Sequence, residues 1–288
     1  MAAALAGTPA AAAMPVSPGA SSLVRILVFG YRAHDGLRRL AVLVLPRWYG
    51  PHRHPPIPLV ISPHGRGEDA MENASVWEGL PARGPFALVS PDGQGRRIER
   101  FSWGDRGQID DLARMARLVR RAFPWLRLDG RVYAVGASMG GQETLLLVAR
   151  HPSLLSGAVA FDAPTSMRLR YRDFRLLRDG SRLQRLARFE IGGTPRQSPR
   201  RYADRSPLVF ARRIAFSGVP LQLWWSRRDR VVVDQAEQSG LLYRLIEWLN
   251  PRAPVVQFVG TWAHTAELPS RLPLALERLG LLRKTRLV

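Results

Sequence analysis

Short apolar runs that alternate with stretches of helical periodicity constrain the fold of this chain more than any other feature. The runs have the length of strands, and several contain no polar residue, as is typical of strands buried on both faces. Apolar residues recur at helical spacing from Ile109 to Phe123, and Pro124 ends that helix. Two further helices are predicted at 139–149 and 236–249. The predicted strands are residues 23–29, 40–45, 57–62, 86–90, 132–135, 158–161, 221–225 and 255–259. This alternation predicts an α/β fold, with a mostly parallel sheet covered by helices on both faces.

Composition excludes several classes of protein. The chain has 288 residues, of which 46% are hydrophobic and 23% are charged, the balance of a packed globular protein. It has no cysteine, which excludes disulfides, thiolate metal sites and thiol catalysis. No apolar run is long enough for a membrane-spanning helix, so we expect no membrane span.

Residues 1–22 differ in composition from the rest of the chain. They are rich in alanine, are interrupted by Pro9 and Pro15, and have no basic residue that could begin a signal peptide. We interpret them as a disordered tail, with a targeting segment as the alternative, and residues 23–288 as one domain. This pattern does not decide between a cytoplasmic and a secreted protein, and nothing in the sequence indicates an oligomeric state.

The chain is strongly basic, with a net charge of +20. Of its 43 basic residues only Lys284 is a lysine, and the arginines are spread from Arg25 to Arg286. Because they form no single block, the charge favours adhesion to anionic surfaces or polymers over nucleic-acid binding as the main role.

Residues 164–206 interrupt the alternation of strands and helices. They are rich in arginine, contain few long apolar runs, and lie between two predicted core strands that a short connection could join. We interpret this segment as a small cap inserted over one end of the sheet. The alternative is a solvated crossover that does not contact substrate.

The pentapeptide 136–140, Gly-Ala-Ser-Met-Gly, is the strongest local pattern. A predicted strand precedes it and a predicted helix follows it, which is the context of a nucleophile elbow. Such a turn needs small neighbours, and Gly136 and Gly140 provide them. The N-terminus of the following helix favours developing negative charge. Ser138 is therefore the predicted nucleophile.

A serine nucleophile requires a base, and in this type of fold the base and its carboxylate follow the serine in the chain. His264 lies in a loop after the last predicted strand, whereas His151 lies at the end of the nucleophile helix. We therefore predict His264 as the base. Asp229, after strand 221–225, is the predicted acid that orients it. Asp162, after an earlier strand, is an alternative, and so is Asp234, although its place before residue 236 is typical of a helix N-cap.

The tetrahedral intermediate of such a reaction needs two donors aimed at its oxygen. We predict the backbone amides of Met139 and Arg66, with Gly65 shaping the turn and binding substrate. His64 is expected to have a structural role. Trp103 and Trp262 lie near loop ends and are candidates for a substrate pocket, with core packing as the alternative.

These residues resemble the α/β-hydrolase superfamily, and more narrowly the catalytic domain of the prolyl oligopeptidase family. The resemblance covers about residues 23–268 and rests on the His-Gly pair at 64–65, the serine turn with its double glycine, and the places of Asp229 and His264. The segments Gly-Gly-Thr-Pro at 192–195 and Tyr-Ala-Asp-Arg-Ser-Pro-Leu at 202–208 also resemble peptidases of that family. The resemblance implies a Ser138–Asp229–His264 triad that needs no metal and no cofactor.

Three features depart from that family. Its usual glycine after the His-Gly pair is Arg66 here, and its usual His-Gly at the end of the penultimate strand is Trp225-Ser226. Such peptidases also carry a β-propeller ahead of the hydrolase domain, and the short stretch before His64 is more similar to stand-alone carboxylesterases.

We therefore expect a serine hydrolase that cleaves small or polymeric carboxylic esters, and the arginines of 164–206 could attract an anionic one. The alternatives are a peptidase or amidase and a non-catalytic basic binding protein on the same scaffold.

Overall fold

The computed structural model describes residues 14–15 and 23–283 of the chain. These residues form one sheet of nine strands. The strands are β1 (Met14–Pro15), β2 (Val24–Arg32), β3 (Arg38–Pro46), β4 (Ile57–Ile61), β5 (Ala87–Pro91), β6 (Leu128–Ala137), β7 (Gly157–Phe161), β8 (Leu221–Ser226) and β9 (Val255–Gly260). The prediction of a disordered or targeting tail concerns residues that, except for Met14 and Pro15, lie outside those described.

The strand order is β1-β2-β3-β5-β4-β6-β7-β8-β9. The strands β1, β2 and β3 pair antiparallel, and β3 is also antiparallel to β5. From β5 through β4 to β9, every pair of neighbours is parallel. The predicted mostly parallel α/β sheet is thus confirmed.

Helices cover both faces of the sheet, as the alternating pattern predicts. The helices are α1 (Ala70–Ser75), α2 (Leu80–Arg83), α3 (Arg106–Ala122), α4 (Met139–Arg150), α5 (Met167–Asp173), α6 (Gly180–Ile191), α7 (Pro199–Asp204), α8 (Ala211–Ala215), α9 (Leu241–Leu249) and α10 (Leu268–Arg278). One face of the sheet is covered by α3, α4, α8 and α9, and the other by α1, α2 and α10.

The apolar runs form two cores because side chains alternate across a strand. In β3, Leu43 and Leu45 pack in the core beneath α3 and α4, whereas Val42 and Val44 pack in the core beneath α1 and α10. Burial of each such side chain contributes about 1.5–3 kcal/mol. A strand with apolar residues on both faces is therefore stable only between two layers of helices.

The segment at 164–206 contains α5, α6 and α7 and packs around a small core of its own. That core includes Met139, the first residue of α4, together with Trp103, Met167, Phe174, Leu183, Ala187, Ile191 and Tyr202. The segment therefore rests on the N-terminal end of the helix that follows Ser138. That it acts as a cap over substrate stays a prediction.

The expectation that Asp234 caps a helix is wrong. The helical stretch begins with a wide turn at Ala236–Gly240 that continues into α9, and Gln235 occupies the N-cap position. Asp234 lies one position before that N-cap, has a φ of 57° in the left-handed region, and accepts no capping hydrogen bond on its side chain among the described residues.

Among residues 14–15 and 23–283, no helix combines the length and the apolar character needed to cross a membrane.

Candidate active site

The predicted nucleophile lies where β6 ends and α4 begins. Ser138 has a φ of 55° and a ψ of −123°, a strained conformation for a residue with a side chain. A Cβ on Gly136 would lie 2.4 Å from the carbonyl oxygen of Gly140, and a Cβ on Gly140 would lie 2.1 Å from that of Pro63. Both glycines are thus required by the sharp turn and by its contact with the loop after β4.

The structure brings the three predicted catalytic side chains together at the carboxyl edge of the sheet. The Nε2 atom of His264 lies 2.9 Å from Oγ of Ser138, and its Nδ1 atom lies 2.7 Å from Oδ2 of Asp229. Because an ionised carboxylate only accepts hydrogen bonds, Nδ1 carries the proton and Nε2 is free to accept the serine proton. This arrangement can generate a nucleophilic serine oxygen.

Asp229 is held by the loop that follows β8. Its Oδ1 atom accepts hydrogen bonds from the amides of Val231 and Val232 at 2.8 and 2.9 Å, and Gln235 donates to Oδ2 at 3.3 Å. Burial raises the pKa of Asp229, but its hydrogen bonds to His264 and to the two amides outweigh burial, so the net pKa is lowered. The carboxylate is therefore charged and fixed in orientation.

Asp162 lies on the other side of the same histidine loop and does not contact the imidazole nitrogen that Asp229 binds. Its carboxylate accepts hydrogen bonds from the amide of Thr265 at 2.9 Å, from Nε1 of Trp262 at 3.0 Å and from the amide of Ser226 at 3.1 Å. It therefore ties the His264 loop to the end of β8. The sequence shows that Asp162 directly follows β7, but it did not reveal that this residue positions the His264 loop.

Asp162, Asp229 and His264 also form a group whose ligand atoms all lie within 4.8 Å of one another, as in a cation site. All four carboxylate oxygens of that group already accept hydrogen bonds from N–H donors, and one of them binds Nδ1 of His264. This donor set fits an imidazole held in place by acceptors better than it fits a metal ion.

The two predicted oxyanion donors lie on adjoining segments. Gly140 brings the start of α4 against Pro63, so the amide of Met139 and the loop that carries Arg66 are close together. Among the described residues, neither amide donates a hydrogen bond to another protein group. Their role as oxyanion donors stays a prediction that this geometry allows.

His64 holds the loop after β4 in shape. Its Nε2 atom accepts a hydrogen bond from the amide of Gly93 at 2.7 Å, so its Nδ1 atom carries the proton and donates to the carbonyl of Gly65 at 2.6 Å. Burial lowers the pKa of His64, which keeps the ring neutral. This is the structural role that the sequence predicts for it.

A pocket of about 340 Å³ opens beside Ser138 and His264. Gly65 lines it, whereas Trp103 and Trp262 do not, and that Gly65 binds substrate stays a prediction. Trp103 packs beneath the segment at 164–206, with its ring 6.1 Å from that of Phe174. Trp262 is turned toward Asp162. The pocket wall consists of Gly65, Arg66, Glu68, Asn73, Val76, Ala137, Ser138, Val231, His264, Thr265, Ala266, Leu268 and Pro269.

No protein-family profile matches the chain, and no curated protein matches it by sequence. Solved structures do resemble it. An acylaminoacyl peptidase from Pyrococcus horikoshii has a TM-score of 0.69 and 16% identity over 92% of this chain and 43% of its own length. The S-formylglutathione hydrolase of Staphylococcus aureus has a TM-score of 0.64 and 14% identity over 90% of this chain and 100% of its own.

A prolyl oligopeptidase from Galerina marginata is also similar, with a TM-score of 0.65 and 14% identity over 90% of this chain and 37% of its own length. The chain thus spans less than half the length of the two peptidases and the whole length of the smaller hydrolase. Together with the sheet order and the serine turn between β6 and α4, these likenesses show that the chain has the α/β-hydrolase fold, as the resemblance in its sequence implies.

Proposed function

We propose that this protein is a serine hydrolase that cleaves carboxylic esters through an acyl-enzyme intermediate. The observation that carries the proposal is the continuous hydrogen-bond chain from Ser138 through His264 to Asp229 at the mouth of a pocket. The nucleophile turn, the base and the acid each follow a different strand of one sheet, so the fold itself brings them together.

The proposed reaction follows from this geometry. Oγ of Ser138 bonds to the ester carbonyl carbon while its proton passes to Nε2 of His264, and Asp229 stabilises the resulting imidazolium. The amides of Met139 and Arg66 hold the negative oxygen. His264 then gives the proton to the departing alcohol. A water molecule releases the acid by the same steps and restores Ser138.

A peptidase or amidase activity is the second candidate. The similarity to a solved acylaminoacyl peptidase and to a prolyl oligopeptidase favours it, since both contain a domain of this fold. The similarity to the S-formylglutathione hydrolase, over 90% of this chain and 100% of that protein, favours ester cleavage. Aminoacyl arylamides assayed beside short-chain p-nitrophenyl esters separate the two candidates.

Ser138→Ala tests the proposal. We expect it to lower kcat for p-nitrophenyl butyrate by at least about 10³-fold, because the nucleophile is lost while the fold is unchanged. A fluorophosphonate probe should label the wild type at Ser138 and leave the variant unlabelled.

The matched control is Ser156→Ala, which removes an exposed hydroxyl next to β7. It should retain wild-type turnover, and all three proteins should melt at similar temperatures. Turnover that persists in Ser138→Ala would show that another group performs the reaction, and the absence of both turnover and labelling in the wild type would favour the non-catalytic binding protein.

A further inference from the structure

The candidate pocket contains a guanidinium group that the protein itself does not neutralise. Arg66 lines the pocket together with Ser138 and His264. Its Nη1 atom is shielded from solvent and has no hydrogen-bond acceptor among the described residues. Burial lowers the pKa of Arg66, and no carboxylate opposes that effect. The side chain is thus partly desolvated without a counter-ion.

A second guanidinium, that of Arg170 on α5, contacts the wall of the same pocket. Arg170 is 4% exposed, donates a hydrogen bond to the carbonyl of Val231 in the pocket wall, and lies over the ring of Phe174 at 4.6 Å. Burial and the positive charge of Arg66 lower its pKa to about 9. One positive charge therefore lines the pocket, and a second lies buried behind its wall.

The carboxylates near these two guanidiniums have other partners. Glu68 also lines the pocket, but it accepts a hydrogen bond from the amide of Gly65. Asp229 binds His264, and Oδ1 of Asp173 pairs with Arg172 at 2.7 Å, whereas Oδ2 of Asp173 has no hydrogen-bond partner among the described residues. Asp229 and Asp173 partly offset the effect of Arg66 on Arg170, but in the described part of the chain no carboxylate forms an ion pair with either guanidinium.

A desolvated charge without a partner lowers stability, and such groups concentrate at binding and catalytic sites. Two guanidinium groups at one pocket would attract an anion more strongly than either alone. Carboxylate and phosphate are the anions whose geometry a guanidinium matches with two parallel hydrogen bonds, and carboxylate is the smaller of the two. The pocket of about 340 Å³ leaves room for a small acyl or alcohol group that bears one.

We propose that this pocket selects ester substrates that carry a carboxylate near the scissile bond, with Arg66 binding the carboxylate and Arg170 reinforcing the positive potential. The inference rests on the proposed hydrolase function and names the substrate class of that site. The proposed selection differs from a general attraction of anions to the net charge of +20, because two particular side chains are responsible for it.

The experiment compares kcat/KM for paired substrates. In the first pair, mono-p-nitrophenyl glutarate carries a carboxylate in the acyl group and p-nitrophenyl valerate lacks it. In the second pair, 4-acetoxybenzoate carries a carboxylate in the leaving group and phenyl acetate lacks it. We expect the wild type to prefer the anionic member of at least one pair. Arg66→Gln should lower that preference by at least about tenfold, the effect of losing a charge-assisted hydrogen bond, and Arg170→Gln should lower it less.

Arg175→Gln is the matched control, since it removes the same charge from an exposed position after α5. It should retain the wild-type preference. Arg66→Lys keeps the charge but loses the planar guanidinium, so it should retain part of the anionic preference. It replaces Arg66→Gln as the test variant if Arg66→Gln melts at a lower temperature than the wild type. The preference should persist in about 0.5 M salt, where exposed charges are screened.

A wild type that hydrolyses the neutral esters without any anionic preference would overturn this inference alone. So would a preference that Arg66→Gln and Arg175→Gln retain equally, or one that salt abolishes, because the cause would then be the overall charge. Failure of the proposed function looks different: neither neutral nor anionic esters would be cleaved, and the fluorophosphonate probe would not label Ser138.

Discussion

His264 is held between two carboxylates that act on it differently. Asp229 contacts its ring directly and fixes which nitrogen carries the proton. Asp162 holds the backbone next to the histidine through the amide of Thr265, a residue with a φ of 54°. At the scale of single residues, therefore, one acid sets the chemistry of the imidazole and the other sets where the imidazole lies.

Replacing Asp162 tests this division. Asp162→Asn keeps the shape of the side chain but removes the negative charge near the imidazole and one of the strong acceptors. We expect kcat to fall by about tenfold, because the loop that carries the imidazole is then held by weaker hydrogen bonds.

The control is Asp129→Asn, at the opposite end of the sheet, which should leave kcat unchanged. Asp162→Asn with the wild-type kcat would show that the position of the imidazole does not depend on Asp162.

At the scale of elements, the junction of β6 and α4 decides the geometry of the site. The turn places Ser138 in a strained backbone conformation, and Gly140 lets the first turn of α4 touch the carbonyl of Pro63. The nucleophile and the predicted oxyanion loop are thus fixed relative to each other by backbone contact rather than by flexible side chains.

Gly140→Ala should disturb both stability and catalysis. The added Cβ would lie 2.1 Å from the carbonyl oxygen of Pro63, so the oxyanion loop must shift. We expect the free energy of unfolding to fall by about 1–3 kcal/mol, as in other overpacked sites, and kcat to fall more than KM changes.

Gly30→Ala is the control, because a Cβ there meets nothing closer than 3.9 Å. It should change the free energy of unfolding by less than about 0.5 kcal/mol in urea titrations. Equal effects of the two substitutions would contradict a special role for the junction.

At the scale of the whole molecule, a buried polar network joins the segment at 164–206 to the sheet domain. Arg205 pairs with Asp105 at 2.5 Å and with Glu190 at 3.3 Å, and it also donates to the carbonyl of Ser102. The hydroxyl of Ser102 in turn donates to Glu143 on α4. The segment is therefore anchored by charge as well as by its apolar core.

Glu143 makes the stability of this network dependent on pH. Burial raises its pKa to about 8, against an ordinary value of 4.5, so the folded protein binds a proton that the unfolded chain releases. The contribution of this proton to the free energy of unfolding is fully present below about pH 4.5 and is lost as pH rises toward 8.

Glu143→Gln should remove that dependence. Relative to the wild type, its free energy of unfolding should rise between pH 5 and 8 by up to about 1.4 kcal/mol per pH unit, measured by urea denaturation. The control Glu99→Gln, at an exposed carboxylate, should follow the wild type at every pH. A constant difference between Glu143→Gln and the wild type would mean that Glu143 is ionised in the folded state.

The sequence by itself determined the alternation of strands and helices, the serine turn, and the places of Asp229 and His264 after β8 and β9. These are local properties: apolar periodicity selects strands and helices, and a glycine-flanked turn between them needs no distant partner. Because parallel strands end at one edge of a sheet, the order of residues along the chain already indicated which of them could meet.

Tertiary structure alone decided which way the side chains point and what surrounds them. Trp103 and Trp262 lie near the site in sequence, yet packing beneath the segment at 164–206 and a hydrogen bond to Asp162 keep both out of the pocket wall. Arg66 lines the pocket and Arg170 contacts its wall at Val231, although the two arginines are more than a hundred positions apart. No local pattern encodes this arrangement, because it depends on how a helix of the inserted segment packs beside the pocket.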